Sequence, residues 1–280
     1  MSVYWKFGIS SSSFGYIDDY VFEEYKKAAV DCMEISLPKE QMDELDWNST
    51  KKASERTGVE LWSVHLPFCP FDTNNLASLD RDVRKGTIDY HMDTVRKMSS
   101  IGIRTAVVHP SGEPNDPKVR DELLKVCHES LLELADKAKE YGVGIAVEDL
   151  PRDCIGNCSD EILYLTSGSD NLFVCFDTNH LLGQRNEDFI KAVGSRIRTV
   201  HVSDYDFIDE RHWLPYEGKN DWVKIVTLLD DAHYSGPFLY EVRMKNPELI
   251  KRRDLNLFDY RENYLACINK IPAPVISQDK

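Results

Sequence analysis

Eight times between residues 3 and 243 a short apolar run gives way to a longer segment with helical spacing, and nothing else in the chain limits its fold so strongly. The runs lie at 3–10, 32–37, 59–66, 103–110, 143–150, 171–180, 198–205 and 237–243. Stretches such as Thr105-Ala106-Val107-Val108 and Phe173-Val174-Cys175-Phe176 are apolar at nearly every position, as parallel strands buried on both faces should be. Between the runs, helices are expected over 21–32, over a stretch ending at Thr57-Gly58, and over 82–102, 116–142, 159–168, 186–195, 221–236 and 247–270. The fourth of these opens on an Asp cap with Pro117 in its first turn.

Eight βα units are the count of a (β/α)8 TIM barrel, an α/β fold. Doubly wound sheets alternate in the same way, but no G-x-G-x-x-G follows the first run and no G-x4-G-K-[ST] occurs anywhere. Barrels of about 250 residues form one domain and no linker interrupts this chain, so residues 1–280 are expected to be a single domain.

The formal charge of −14 works against nucleic acid as a partner, because phosphate binding needs clustered Lys and Arg. One such cluster, Lys251-Arg252-Arg253, reads as the solvated face of the last helix. Seven cysteines without a scaffold spacing point to a reducing compartment, and the pair Cys154 and Cys158 lacks the further ligands of a zinc knuckle. The chain shows neither a secretion signal nor an apolar stretch of about 18 residues, so a cytoplasmic protein that does not span the membrane is expected.

Polar donors recur at the ends of the apolar runs: His65, His109, Glu148, Asp177, His180, His201, His212 and Glu241. One histidine so placed is more often structural, but eight N/O donors at one phase of the repeat describe a metal site at the mouth of a barrel. Glu148, Asp177, His201 and Glu241 come from strands five to eight and one ion can bridge them. Hard carboxylates with a borderline imidazole suit Mn, Co, Mg or Zn rather than copper or an iron–sulfur cluster.

The segments Glu148-Asp149-Leu150-Pro151, Phe176-Asp177-Thr178-Asn179-His180, His201-Val202-Ser203-Asp204, His212-x-x-Pro215-x-x-Gly218 and Tyr240-Glu241 resemble, in order and spacing, the xylose isomerase-like TIM barrels. That superfamily includes tagatose and psicose 3-epimerases, hydroxypyruvate isomerases, inositol-catabolism enzymes and endonuclease IV, and the resemblance spans nearly the whole chain. It implies a metal-dependent isomerase or epimerase of a sugar, ketose or polyol-derived hydroxy-ketone. Glu148, Asp177, His201 and Glu241 would hold the ion, and Glu148 and Glu241 would move protons on opposite faces of an enediolate. His180 would polarise a substrate oxygen or orient Glu148, and His65, His109, Arg211 and His212 would contact the substrate.

The chain departs from the epimerases at Phe207, six residues beyond His201, where they carry an arginine; Arg211 is the nearest substitute. Glu210-x-His212, with His65 and His109, also resembles the ligand set of endonuclease IV. A keto-inositol dehydratase and, behind it, a zinc-dependent apurinic endonuclease are therefore the alternatives. Trp5, Phe7, Phe68 and Trp213 are candidates for packing against a sugar ring or for the rim of the core. Strand eight runs into Arg243-Met244-Lys245-Asn246-Pro247 without the glycine of a phosphate loop, so an unphosphorylated substrate is expected, with Arg243 or Lys245 as contacts for any anionic group. The sequence leaves the oligomeric state open, a homo-oligomer included.

Overall fold

The computed structural model describes residues 4–245 and 249–277. Strands β1 (Phe7–Ser10), β2 (Cys32–Ser36), β3 (Glu60–His65), β4 (Thr105–Val108), β5 (Gly144–Glu148), β6 (Leu172–Asp177), β7 (Ile197–Val202) and β8 (Phe238–Tyr240) are all parallel and close into a barrel, β8 pairing with β1. Each apolar run of the sequence is one strand. Helices α1 (Asp19–Lys27), α2 (Lys39–Glu44), α3 (Trp47–Thr57), α4 (Arg81–Ser100), α5 (Arg120–Lys139), α6 (Ser159–Leu165), α7 (Asn186–Val193), α8 (Trp222–Asp231) and α9 (Leu257–Ile268) fill the connections and follow the last strand. Asp18, Asp46, Asp80 and Asp221 cap α1, α3, α4 and α8 through backbone N–H groups, each contact contributing about 1 kcal/mol. The cap foreseen at Asp116 closes a short 3-10 turn, Pro117–Val119, that runs into α5.

Strand periodicity builds the mouth of the barrel. One set of alternating residues, including Met33, Ile35, Val64, Val174 and Val200, joins the large cluster shared with the helices. The other set faces the axis, where Val107, Ala146 and Cys175 form a small separate cluster with Phe173 packed against it. Two residues further along the same phase stand His109, Glu148 and Asp177, so a polar layer is stacked on an apolar one by the pleat alone. The pairing Asp177↔His201 puts those two level, and Leu239, not Glu241, pairs with His201. Glu241 therefore rises one layer above His201, just past the end of β8.

The tail differs from expectation. Helix begins only at Leu257, where Asn256 and Asp259 form a capping box, and Ile250–Asn256 is not helical. Residues 246–248, which include Asn246 and Pro247 of the segment after β8, lie outside the described residues, as does Val3 of the first run. Arg252 is not on a solvated face: it is 1% exposed, with Nε 2.7 Å from Glu217 Oε1. A guanidinium can be buried only with its charge matched, and this pair ties the loop after β7 to the loop after β8. Arg253 instead grips Asp259 through two contacts of 2.6 Å.

Candidate metal centre

Glu148 lies at the centre of the polar layer. Its Oε1 is 2.8 Å from His201 Nδ1, and its Oε2 is 3.0 Å from Nε2 of both His65 and His109. Glu241 Oε2 approaches His201 Nδ1 at 3.1 Å and Asp177 Oδ2 stands 3.9 Å from the same nitrogen. Glu148, Asp177, His201 and Glu241 can each turn one donor atom toward a common point, all four within 4.8 Å of one another. Further groups meet the same spacing, among them His65, His109 and Glu148, and His180, Glu210 and His212.

Hydrogen bonds decide which face each imidazole presents. Nδ1 of His65 bonds to the carbonyl of Leu66 at 3.1 Å, Nδ1 of His180 to that of Asp149 at 2.8 Å and Nδ1 of His212 to that of Glu241 at 3.1 Å. Because a carbonyl only accepts, each Nδ1 carries the proton; that leaves Nε2 of His180 and His212 to act as an acceptor or ligand, whereas Nε2 of His65 donates to the Glu148 carboxylate. His201 has the reverse arrangement: Nδ1 faces Glu148 and Glu241, and Nε2 faces the buried carboxylate of Glu34 at 3.1 Å.

The fit of a cation is supported by the donors themselves. Asp177 is fully buried and its Oδ2 has no hydrogen-bond partner. Burial, and then the charges of Glu148 and Glu241, push its carboxyl well above the usual range. Burial opposes the charging of His201, but Cys175, Glu34, Glu148 and Glu241 outweigh it and hold the imidazole well above its ordinary value. The carboxylates are the effective source, since burial keeps the Cys175 thiol protonated. Against burial, His201, His109 and His65 keep Glu148 ionised, and His201 does the same for Glu241. A divalent ion would supply the charge that these crowded carboxylates share a proton to obtain.

The cleft above this layer has a volume of about 240 Å³ and is lined by Phe68, Phe71, Ser111, Arg152 and Arg243 besides the donors. Phe68 stacks on His109 with centroids 4.1 Å apart. Trp5 and Phe7, in contrast, are core residues at the opposite end of β1, and Trp213 is 8% exposed outside the cleft lining. Arg211 is not brought to the cleft either; its Nε pairs with Asp206 Oδ2 at 2.9 Å, while its backbone N–H, like that of His212, bonds to Asn179 Oδ1. In its place stands Arg152, which binds Glu113 through two contacts of 2.7 and 2.6 Å and Asp209 at 2.8 Å, joining three loops along one wall. Sequence reasoning passed over Glu34, Glu113 and Arg152. Glu34 alone carried a signal, a carboxylate inside the apolar run CMEIS.

A family model described as xylose isomerase-like TIM barrel matches residues 22–260. The chain is 30% identical over 163 residues to an inosose isomerase of Bacillus licheniformis, covering 54% of this chain and 57% of that one. It is 29% identical over 157 residues to a probable endonuclease 4 of Acholeplasma laidlawii, covering 50% and 51%. The crystal structure of a D-tagatose 3-epimerase-like protein superposes with a TM-score of 0.80 at 24% identity, covering 95% of this chain and 98% of the other. No helix among the described residues is long and apolar enough to cross a membrane.

Proposed function

The chain belongs to the xylose isomerase-like TIM-barrel family, and from that premise we propose that it is a divalent-metal-dependent isomerase or epimerase of a small sugar, ketose or polyol-derived hydroxy-ketone. The observation that carries this reading is the pair of carboxylates, Glu148 from β5 and Glu241 from the end of β8, converging on His201 Nδ1 beneath a cleft of monosaccharide scale. Glu148, Asp177, His201 and Glu241 would hold Mn, Co, Mg or Zn. When bound, the ion would polarise neighbouring carbonyl and hydroxyl oxygens and so acidify the adjacent C–H.

One of the two glutamates then takes the carbon-bound proton and the other returns one. Glu241, 17% exposed and above the plane of His201, is the less enclosed of the two; Glu148 is held by three imidazoles. His180 presents Nε2 to the cleft and donates to or accepts from a substrate oxygen, with His65, His109 and His212 as its counterparts on the other walls. Phe68 and Phe71 exclude water from one side. The test is proton exchange: a ketose accepted by this site incorporates solvent deuterium at a carbon next to its carbonyl, and a protein that exchanges none across a ketose and keto-inositol panel is not this enzyme.

A second reading rests on a specific observation. His65, His109, His180 and His212 all turn Nε2 inward in ligand-like groups, which would also serve a site for several zinc ions, and a probable endonuclease 4 is among the relatives. The net charge of −14 and the small cleft favour the sugar. Dehydration of a keto-inositol begins with the same proton transfer and differs in the net loss of water.

A further inference from the structure

His201 is the one imidazole of the polar layer whose outward nitrogen is oriented by a side chain instead of a backbone carbonyl. From β2, on the far side of the barrel axis, Glu34 brings Oε1 and Oε2 to 3.1 and 3.2 Å of Nε2. Neither Glu34 nor His201 is exposed to solvent. Ser63, level with Glu34 in the register of β2 and β3, donates its Oγ–H to Glu34 Oε2 at 2.8 Å. No lysine or arginine pairs with Glu34 among the described residues, so this ionisable group is buried with a histidine and a serine as its contacts. A charge taken out of water at such cost is retained only against a group that uses it.

The geometry points to Glu34 as a positioning residue for the metal centre: it accepts a hydrogen bond from Nε2–H of His201 and holds that proton on the ring, leaving Nδ1, the nitrogen that faces Glu148, Asp177 and Glu241, as the one available to an ion, and Ser63 fixes Glu34. This inference deepens the proposed function and rests on its metal-binding reading. The carboxylate raises the electron density of the imidazole through the ring, which strengthens Nδ1 as a ligand, and it holds the ring plane so that the nitrogen is aimed before an ion arrives. Glu34 touches neither substrate nor the candidate ion site, so its effect is exerted wholly through His201.

The experiment compares wild type and Glu34→Gln by Mn²⁺ and Zn²⁺ titration calorimetry and by thermal melting of the metal-free proteins. The amide keeps the shape and can still accept from Nε2, but it carries no charge. Wild type is expected to bind, and E34Q to bind about 10- to 100-fold more weakly, the range seen when such supporting groups are changed. The metal-free melting temperature is expected to hold or rise, because three other carboxylates still surround His201; a fall would mark Glu34 as merely structural and overturn the inference. Equal affinities would overturn it too, whereas a wild type that binds neither ion defeats the proposed function instead. Should E34Q fail to fold, ¹⁵N-histidine NMR of metal-loaded wild type decides. His201 must show a protonated Nε2 and an unprotonated Nδ1, and the opposite tautomer refutes the role of Glu34.

Discussion

Glu148 and Glu241 converge on a single atom, His201 Nδ1, at 2.8 and 3.1 Å, although they arrive from strands separated by two others. Changing either to Gln removes a base without changing shape. Each variant is expected to lose about 10²- to 10⁴-fold of its deuterium exchange into a ketose, the usual contribution of one positioned acid or base. Glu241→Gln is the cleaner test, since its carboxylate is partly exposed and its loss disturbs fewer partners. Retained exchange in E241Q would take that carboxylate out of the chemistry.

One tightly held ion per chain is expected. Glu148 cannot serve two ligand sets fully at once, and Glu210 of the third set is already approached by the Arg152 guanidinium at 3.4 Å. Native mass spectrometry after dialysis, with metal analysis, checks the count. Three zinc ions per chain would shift the reading to the polynuclear, nuclease-type site.

No incision of an abasic duplex is expected at about 150 mM salt, where exposed charges are screened within about 8 Å. With a formal charge of −14 the protein has little counterion release to drive DNA binding. Zinc and manganese are to be supplied in separate assays, and metal-dependent strand cleavage in either would displace the sugar substrate.

Acid is expected to destabilise the fold partly through His91. Buried on α4 with Nε2 3.2 Å from the Pro67 carbonyl, it has its pKa pushed down by burial to about 4. Between the unfolded value of about 6.5 and that folded value, the unfolded chain binds a proton that the folded one refuses, so this contribution to stability is complete above the window and is lost as pH falls through it. His91→Gln keeps a donor for Pro67 and removes the titration. The stability advantage of wild type over H91Q should shrink by up to about 1.4 kcal/mol per pH unit within the window; a difference that stays flat from pH 7 to 4.5 would show that His91 is not responsible.

The barrel was legible because each strand is centred on a short, mainly apolar run, and because donors placed two residues beyond an inward-facing apolar residue had to enter the mouth. His109, Glu148 and Asp177 follow that rule directly. Loop residues obey no such period. Arg152 reaches the cleft wall from a backbone with φ of +52°, which no pattern announces, while Arg211, in a plausible place by spacing, folds back on Asp206. Glu34 was hidden for another reason: its partner is 167 residues away, and only closure of the barrel brings the two together. Lys251-Arg252-Arg253 misled because a run of cations usually marks a solvated surface, and the burial of Arg252 depends on Glu217 from a different loop.

His65, His180 and His212 take their orientation from the carbonyls of Leu66, Asp149 and Glu241, which any side chain at those three places would leave intact. The aim of these rings is therefore a property of the chain's path, and it tolerates sequence drift at the supporting positions as long as the path is kept. His201 has no such insurance, for its supporting group is itself a side chain. Variation at Glu34 is thus bound to variation at His201, and the two positions should behave as a single heritable unit while their neighbours drift independently.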